Sequence, residues 1–405
     1  MAIKIFDKDR CTGCHSCANT CPKKCISMVA DNEGFLYPKV DSDKCVECGL
    51  CEIACPITSE SKANNVQPHA YAAINKNTSI RLASSSGGLF TVIAEDTIDK
   101  GGIVFGASYD NDFNVIHTYT ESKKGLEAYR GSKYVQSVIG ETYKKAKMFL
   151  DNGRLVLFTG TPCQIAGLYI YLQKDYDNLI TQDMICHGVP SPLVWRKYIE
   201  YRSKVASSAI QRISYRDKQT GWKTFSICFI FANYEKYSKT VCCGESDDPF
   251  YKVFLGNYCL RPSCYSCSFK SFSRYADITL ADFWGVQSIL PDMDDDKGTS
   301  LVIINSNKGE ALLKDVSDKI LVNKVDLHHC INYNSSYLHS ARMPKERGYF
   351  LKTISYNDFD ISFKKLGKRI RLNKLKVKFS YRYLWCAFRK AVIKLIRKES
   401  KKHDT

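Results

Sequence analysis

The sequence predicts an α+β protein built of a small cysteine-rich module, a larger mixed α/β domain and a basic helical tail. Three observations support this prediction. A run of four cysteines and a proline occurs twice within residues 1–58. Strand and helix patterns then alternate from Tyr71 to about residue 330, as in a mixed α/β domain over 69–350. The last segment, 361–405, carries sixteen Lys and Arg residues against two acidic residues.

The composition is that of an ordinary globular protein. Hydrophobic residues make up 44% and charged residues 25% of the 405 positions, which excludes disordered and collagen-like classes. The sequence contains neither a secretory signal nor the roughly 18 to 20 consecutive apolar residues of a membrane span, so we expect a cytoplasmic protein. In that reducing compartment, 19 cysteines indicate metal binding or redox chemistry rather than a disulfide framework.

The N-terminal module repeats the pattern C-x2-C-x2-C-x3-C-P with an offset of 34 residues. Three closely spaced thiolates can hold three corners of a cubane cluster, and the fourth cysteine of each run reaches the other cluster. Zinc is the alternative for C-x2-C pairs, but a duplicated run with both prolines favours two [4Fe-4S] clusters. The predicted ligands are Cys11, Cys14, Cys17 and Cys55 for the first cluster, and Cys45, Cys48, Cys51 and Cys21 for the second. Cys25 is surplus and is expected to be a buried small residue.

Regular elements are predicted along the mixed domain from hydrophobic periodicity and capping residues. The predicted strands are 103–107, 155–158, 180–185, 226–231, 278–280 and 301–304. The predicted helices are 89–99, 164–173, 193–203 and 309–317. Ser191 and Pro192 form a cap and first-turn pair before the third of these helices.

A second cysteine motif lies late in the mixed domain. Cys259, Cys264 and Cys267 offer three thiols within nine residues, enough for three corners of a further cluster. The candidates for a fourth ligand are Cys163, Cys186, Cys242 and Cys243. Spacing alone leaves a zinc site or free thiols open.

Two small-residue segments are candidate binding loops. Residues 160–164 follow a predicted strand and open a helix, where backbone amides and the helix dipole favour a Cys163 thiolate or a bound phosphate. Residues 84–88 open another helix and can cradle a phosphate through backbone amides. An ordinary strand-to-helix turn and a flexible capping loop are the respective alternatives. His187, in a Cys-His-Gly segment, is by itself more often a structural residue than a catalyst.

As a set, these segments resemble one family. The motifs S-S-G-G-L-F, G-S-K-Y, G-T-P-C-Q-I, C-H-G-V-P-S-P, R-D-K-x-x-G-W, R-P-S-C-Y-x-C and A-D-I-T-L-A-D-F-W-G resemble the beta-subunit family of coenzyme F420 hydrogenase/dehydrogenase, in its bacterial form with a fused 2x[4Fe-4S] ferredoxin domain. The resemblance covers residues 1 to about 350. It implies a mixed α/β flavin-binding domain and an iron-sulfur flavoprotein oxidoreductase. The resemblance further implies that electrons pass between [4Fe-4S] clusters and FAD, and then to a deazaflavin or another small organic acceptor. Many bacterial relatives are encoded near polysaccharide-synthesis genes.

The resemblance also implies roles for individual residues. The residues that would line the flavin are Ser85, Ser86, Gly87, Gly88, Lys133, Gly160, Thr161, Pro162 and Gln164. Cys259, Cys264 and Cys267 become ligands of a third [4Fe-4S] cluster, with Cys163 or Cys186 as the fourth. The candidate catalytic residues are Lys133, Cys163, His187 and Asp282, and Asp277 is expected to face the flavin or substrate together with Asp282. Lys133 is expected to stabilise the anionic reduced flavin, and a ferredoxin-like protein is the expected redox partner.

The tail carries most of the net charge of +17. From Leu384 to Arg397, apolar side chains fall on one helical face and basic side chains on the other. Such a helix can pack on the domain, bind an acidic partner, or lie peripherally on the anionic inner face of the membrane. No nucleic-acid motif accompanies the charge, so nucleic-acid binding is not expected.

Two other functions stay open at this level. The protein can be a flavin-free subunit that delivers electrons to a partner enzyme. It can also be a docking protein for a membrane or nucleic acid, with clusters that are purely structural.

Overall fold

The computed structural model describes residues 8–59, 64, 66–232, 239–244 and 246–373. The strands are β1 (Ile26–Ala30), β2 (Leu36–Val40), β3 (His69–Asn75), β4 (Ile103–Tyr109), β5 (Val115–Thr120), β6 (Val156–Thr159), β7 (Leu179–Met184), β8 (Ile210–Asp217), β9 (Ser226–Phe231), β10 (Lys239–Gly244), β11 (Ile278–Asp282), β12 (Ser300–Ile304) and β13 (Ile320–Val325). The α-helices are α1 (Ser16–Thr20), α2 (Leu50–Ile53), α3 (Thr78–Leu82), α4 (Leu89–Asp99), α5 (Thr142–Asp151), α6 (Pro162–Leu172), α7 (Pro192–Ala206), α8 (Pro249–Leu255), α9 (Val286–Ile289), α10 (Asn307–Asp315), α11 (Leu327–Ile331) and α12 (Arg347–Tyr356). Short 3-10 helices lie at Lys124–Ala128, Pro262–Ser266, Pro291–Met293, Ser317–Lys319 and Ser335–Tyr337, and a further helix is described over 359–373.

An eight-stranded mixed sheet organises the larger part of the chain, with strand order β13-β3-β12-β11-β7-β6-β4-β5. The four central strands β11, β7, β6 and β4 are mutually parallel, and the flanking strands pair antiparallel. Because the carboxyl ends of parallel strands lie at one edge of a sheet, the segments that follow β6, β7 and β11 meet there.

Helices cover both faces of this sheet. Val104 and Leu157 pack with α4 and α10 on one face, whereas Phe105 and Phe158 pack with α5 and α6 on the other. Successive residues of a strand point to opposite faces, and central strands buried on both faces are apolar at nearly every position. The predicted α+β class is therefore confirmed.

A second, antiparallel sheet has the order β10-β9-β8 and packs against an aromatic core. Trp195, Tyr198 and Phe250 are buried there, contributed by α7 and α8. Cys228 and Cys242 lie opposite each other on β9 and β10 and form a disulfide. The disulfide removes Cys242 from the candidates for a cluster ligand.

The predicted elements agree with the structure at most positions. Helix α4 and strand β9 have the predicted bounds. Ser191 caps α7 by accepting the Val194 N–H, and Pro192 is the first residue of that helix. Strand β3 was not among the predicted strands, because its sequence His-Ala-Tyr-Ala-Ala-Ile-Asn contains several residues with low strand propensity.

The first part of the predicted tail packs on the body. In the helix over 359–373, Phe359 and Leu366 are buried against the aromatic core. The predicted amphipathic helix from Leu384 to Arg397 lies outside the described residues. Within the described part of the chain, no helix is both long enough and apolar enough to cross a membrane.

The loop between β1 and β2 attaches the N-terminal module to the body. Glu33 receives two hydrogen bonds from Arg347, at 3.1 and 2.6 Å, and its carbonyl accepts one from the Ser191 hydroxyl. Gly34 has φ +84°, and a Cβ there would lie 2.5 Å from the Leu193 Cβ at the start of α7. The close approach of the loop to α7 therefore requires glycine at this position.

We expect Gly34→Ala to lower the apparent melting temperature more than Gly153→Ala does. Both positions have positive φ, but a Cβ at Gly153 meets nothing within 4 Å. The left-handed conformation costs either variant about 1 to 2 kcal/mol, and the clash with Leu193 adds about 1 to 3 kcal/mol at Gly34. Equal shifts, measured by thermal unfolding of the two variants, would contradict this account of the docking.

Candidate functional site

The first predicted cysteine set, Cys11, Cys14, Cys17 and Cys55, comes together in the structure. Cys14 and Cys17 each interact electrostatically with the other thiols of the set. Burial, followed by these neighbours, raises the pKa of the Cys14 thiol to about 12 and raises that of Cys17 further. Four thiols so close together can all ionise only if cations lie among them, so the donor set fits an iron-sulfur cluster.

The second predicted set, Cys21, Cys45, Cys48 and Cys51, lines one cavity nearer the surface. Cys48 is exposed and Cys45 is half-buried, whereas Cys21 and Cys51 are buried. Cys25 is buried, as expected, but it lines the same cavity as the other four thiols. This set is therefore the one that a partner protein can approach most closely.

A third cavity is lined by Cys163, Cys186, Cys264 and Cys267. Cys163 follows β6 and Cys186 follows β7, so both lie at the carboxyl edge of the sheet, and the 3-10 helix Pro262–Ser266 brings the other two thiols against them. The Cys163 thiol interacts with all three others, and its pKa is raised by burial and then by these neighbours. The arrangement offers four sulfur ligands for a further cluster.

The structure does not bring Cys259 to this cavity, which corrects the expectation for this residue. Residues 259–261 run antiparallel to 189–191, with the Arg261 N–H donating to the Val189 carbonyl at 3.0 Å. This pairing places the fully buried Cys259 side chain in the aromatic core. Only after Pro262 does the chain turn towards the cavity. Cys243 is also distant from it, because its sulfur contacts Arg202 at 3.2 Å.

Arg261 lies between the first and third cysteine sets. It is fully buried, its Nε donates to the Cys11 carbonyl at 2.7 Å, and it also lines the third cavity. Helix α6 connects the same two sets, because Cys163 lies in its first turn and a Cβ on Gly167 would lie 3.1 Å from the Cys14 sulfur. Four residues of an α-helix rise about 6 Å, so the two sets are close neighbours.

The loop 84–88 is held from two sides. Ser132 donates its backbone N–H and its hydroxyl to the Ser85 Oγ at 2.7 and 2.9 Å. Lys218 donates to the Ser86 carbonyl at 2.7 Å. The Ser86 hydroxyl donates to the Thr299 carbonyl at 2.8 Å. These contacts join three of the quoted motifs around one loop, which leads into α4.

The two glycines of this loop have different structural roles. A Cβ on Gly87 would lie 2.4 Å from the Ala73 carbonyl oxygen, so this glycine permits close packing on β3. Gly88 has φ +86° and directly precedes the first residue of α4. The backbone of the loop is therefore fixed in place before any ligand binds.

Lys133 is a half-buried cation at the same edge of the sheet. Its ammonium group contacts the Arg130 and Gly131 carbonyls at 3.5 and 3.3 Å and lies 5.6 Å from the centre of the Tyr109 ring. Among the described residues, no carboxylate forms an ion pair with it. Burial lowers the pKa of Lys133 to about 7. A cation without a carboxylate partner is suited to bind an anionic group.

His117 is a buried neighbour of Lys133 that the sequence analysis did not single out. Its Nε2 lies 2.9 Å from the Thr159 carbonyl, and the charge of Lys133 acts on it. Burial, more than this charge, lowers the pKa of His117 to about 4, so the ring is neutral. A carbonyl only accepts, so Nε2 carries the proton. Nδ1 is then an acceptor with no partner within the described part of the chain.

Other predicted flavin-lining residues shape the start of α6. Thr161 and Gln164 form a capping box, in which the Thr161 N–H donates to the Gln164 Oε1 at 3.0 Å. The Gln164 Nε2 donates to the Ser137 hydroxyl at 2.9 Å. Pro162 lines the third cysteine cavity, and a Cβ on Gly160 would lie 3.3 Å from the Gln164 side chain. Gln164 therefore supports the turn that carries Cys163.

His187 also lines the third cavity, with both ring nitrogens engaged. Its Nε2 lies 2.6 Å from the Asn257 Oδ1 and its Nδ1 lies 3.3 Å from the Ser336 hydroxyl. Burial lowers the pKa of His187. The ring therefore acts as a neutral, hydrogen-bonded wall residue.

Asp282, at the carboxyl end of β11, belongs to a buried polar network. Arg216 donates to its carboxylate at 2.8 Å and the Trp222 indole N–H donates at 2.9 Å. The Arg216 guanidinium also lies 3.8 Å from the centre of the Phe225 ring. The carboxylate is thus held by an ion pair.

Asp277 precedes β11 and lies at the opposite, amino end of the strand. It accepts hydrogen bonds from the Thr181 N–H at 2.8 Å and from the Ser306 hydroxyl. Asp277 and Asp282 therefore lie at opposite ends of β11, so the expectation that both face one flavin or substrate is wrong.

Arg216, Lys218 and Arg261 were present in the quoted motifs, but no role was assigned to them. Because they lie in the same motifs as the predicted site residues, a position near the loop 84–88 or the cysteine sets could have been predicted for them. His117 lies in an ordinary alternating strand, and the sequence carries no signal for it.

Comparisons with known proteins agree with the two-part organisation. Residues 153–328 match the family model for the C terminus of the beta subunit of coenzyme F420 hydrogenase/dehydrogenase, and residues 10–59 match that of a 4Fe-4S dicluster domain. Among solved structures, the chain is similar to a chain of the F420-reducing [NiFe] hydrogenase complex from Methanosarcina barkeri. The identity is 17% and the TM-score 0.43, over 76% of this chain and 93% of that one. No curated protein matches the sequence.

We expect Asp282→Asn to destabilise the protein by about 3 to 5 kcal/mol, because it leaves the Arg216 charge buried without its partner. The Arg216 side chain is only 3% exposed. Asparagine retains an oxygen that can accept the hydrogen bond from Trp222, so the loss of unfolding free energy measures the effect of breaking the Arg216–Asp282 ion pair. Glu121→Gln, which breaks the exposed pair with Arg154, should cost at most about 1 kcal/mol. Denaturant unfolding of both variants tests this, and equal losses would contradict it.

Proposed function

Since the chain belongs to the coenzyme F420 hydrogenase/dehydrogenase beta-subunit family, in the form with an N-terminal dicluster domain, we propose that it is an iron-sulfur flavoprotein oxidoreductase. Electrons pass between [4Fe-4S] clusters and a bound FAD, and then to a deazaflavin or another small organic acceptor. The observation that supports this proposal most strongly is a series of three cysteine sets that leads from the surface to the carboxyl edge of the sheet.

The order of the three sets supports a single electron path. The second set contains the exposed Cys48 and is flanked by Val46 and Ile53, which are 58% and 57% exposed. A redox partner such as a ferredoxin-like protein can dock there.

The first set is adjacent to the second, because α1 carries Cys17 of the first set, α2 carries Cys51 of the second, and the two helices contact each other. The first set lies towards the body, since a Cβ on Gly167 of α6 would lie 3.1 Å from the Cys14 sulfur. Arg261 and α6 then connect the first set to the third.

The proposed third cluster is held by Cys163, Cys186, Cys264 and Cys267. Lys270 and Arg274 also line the cavity. Lys270 interacts with the thiols of Cys186, Cys267 and Cys264. Arg274 is paired with Asp183 at 3.3 Å, but Lys270 forms no ion pair among the described residues. Lys270 therefore complements the negative charge of a thiolate-ligated cluster, which supports a cluster rather than four neutral thiols.

The proposed flavin site is the edge bounded by the loop 84–88, Lys133 and the end of β6. A flavin exchanges one or two electrons and so links cluster chemistry to hydride acceptors. The preformed loop offers backbone N–H groups at the start of α4 for a phosphate. Lys133 supplies the cation that favours an anionic ring or phosphate, and the neutral His117 supplies an acceptor for a ring N–H.

The main alternative is a flavin-free protein that delivers electrons to a partner enzyme. It would contain the same clusters but would bind no ligand at the edge bounded by the loop 84–88, Lys133 and the end of β6. A half-buried lysine without a carboxylate partner and a buried histidine nitrogen without a hydrogen bond are costly in a site that binds nothing. Both features therefore favour a ligand at the edge.

Anaerobic purification with iron, sulfide and flavin analysis tests the proposal. We expect about twelve irons and one FAD per chain, from three four-iron clusters. Cys186→Ala should retain about eight irons, whereas Cys259→Ala should retain about twelve, because Cys259 lies outside the cavity. About eight irons without flavin in the unmodified protein would favour the delivery protein, and zinc in place of iron would overturn the proposal.

The affinity of the flavin-depleted protein for FAD should fall as the pH rises. The pKa of Lys133 is about 7, so the lysine is charged below that pH and neutral above it. Above pH 7, binding an anionic group must include uptake of a proton, which weakens affinity by up to about tenfold per pH unit. Titration of flavin fluorescence between about pH 6 and pH 9 measures this slope.

Lys133→Met should remove most of this slope, and Lys145→Met, which replaces an exposed lysine, should keep it. Lys218 also has a pKa lowered to about 7, chiefly by burial, but its three hydrogen bonds to carbonyls remain when a ligand binds. An unchanged slope in Lys133→Met would remove this lysine from the site.

A further inference from the structure

We propose that Cys25 is a reserve ligand of the second cluster, able to take the place of Cys21. The duplicated motif accounts for four thiols in this cavity, and Cys25 is the fifth. The inference concerns the dicluster domain alone and is independent of the flavin.

The geometry places Cys25 beside two of the four motif thiols. Its sulfur lies 3.3 Å from the Cys21 sulfur, within hydrogen-bond distance for thiols, and it also interacts with Cys45. Cys21, Cys25 and Cys51 pack in one buried cluster of side chains. Its position in a cavity lined by four other thiols indicates a role for Cys25 beyond filling space in the core.

The local backbone explains why Cys25 returns to Cys21. Lys24 adopts a left-handed conformation with φ +50°, and its N–H donates to the Cys21 carbonyl at 3.2 Å, which closes a tight turn after α1. The Cys25 carbonyl then accepts the Asp41 N–H at 2.8 Å, at the start of β1. Because both ends of the turn are fixed, the two sulfurs stay in contact without a rearrangement of the backbone.

The exchange of ligands balances without any further reactant. With a cluster bound, the bond from iron to the Cys21 sulfur would break and a bond from iron to the Cys25 sulfur would form. The Cys25 proton would pass to the departing Cys21 thiolate across the contact between the two sulfurs. The charge and the oxidation state of the cluster would not change, because Cys25 becomes the ligating thiolate and Cys21 becomes the free thiol.

The second cysteine set lies near the surface, where a reserve ligand would protect a cluster against loss of a ligand. Cys48 is exposed and Cys45 half-buried, so this cluster is the one that oxidants reach first. In the first set, Cys14 and Cys17 interact with members of their own set and, within the described part of the chain, with no fifth cysteine. The spare thiol thus lies where loss of a ligand is most expected.

Iron content of purified variants tests the inference in the full-length protein. Cys25→Ala and Cys21→Ala should each keep the iron content of the unmodified protein. The double variant Cys21→Ala/Cys25→Ala should lose about four irons, one cluster's content. Cys48→Ala, which removes a ligand that has no spare thiol in contact, should lose the same amount and serves as the control.

Anaerobic alkylation of the folded, iron-loaded protein, followed by unfolding and peptide mapping, gives a second readout. In iron-loaded Cys21→Ala, Cys25 should be protected from rapid alkylation, and in the unmodified protein it should be the more reactive of the two. Cys21→Ser, which keeps the size of the side chain, is studied in parallel in case alanine prevents folding. Loss of about four irons in both Cys21 variants, as in Cys48→Ala, would overturn the proposal.

Discussion

The buried guanidinium of Arg261 is the interaction on which the arrangement of the redox centres depends. Its Nε and Nη2 donate to the Cys11 and Leu36 carbonyls at 2.7 and 3.0 Å, and its Nη1 donates to the Gln136 Oε1 at 2.9 Å. The planar fork of arginine can make these bonds in several directions at once, which lysine cannot. One side chain from the body thereby holds both the cysteine loop and the hairpin of the N-terminal module. A Cβ on Gly13 would lie 2.7 Å from Nη1, so the loop also closes on the guanidinium.

A fully buried cation is costly unless negative charge lies near it. No carboxylate forms an ion pair with Arg261 among the described residues, yet its Nη2 lies 3.6 Å from the Cys11 sulfur and its side chain lines the third cavity. Thiolates of two clusters would supply the missing charge. The cations near the loop 84–88 differ in the same way. Arg216 is paired with Asp282 and Lys218 donates to three carbonyls, whereas Lys133 has no carboxylate partner among the described residues.

The repeated motif predicted from local spacing the two N-terminal cysteine sets that the structure brings together. For the third set, the sequence offered Cys163 or Cys186 as a single fourth ligand, whereas the structure brings both to one cavity, because they follow neighbouring parallel strands. The prediction from sequence failed where the tertiary path of the backbone determines the position of a side chain. Cys259 is five residues from Cys264, but backbone pairing with 189–191 diverts it into the core before Pro262 turns the chain. Asp277 precedes β11 and Asp282 is its last residue, so the two carboxylates lie at opposite ends of the strand. His117 becomes a candidate site residue only because the fold places it beside Lys133.

The distribution of charge bears on the direction in which electrons would move. Hydrogen bonds, nearby charge and solvent exposure set the potentials of such clusters, and a reduced cluster is more negative than an oxidised one. Arg261, Lys270 and Arg274 line the third cavity. Arg274 is paired with the buried Asp183 at 3.3 Å, whereas Arg261 and Lys270 form no ion pair among the described residues and would favour the reduced form of a cluster. The cavity of the second set is lined by one cation, Lys23, and one acid, Glu47. The inner cluster should therefore have the higher potential. In the proposed electron path, such a gradient would move electrons inward, from the exposed cluster towards the edge where Lys133 lies. Reverse flow would need a donor at the edge strong enough to oppose it.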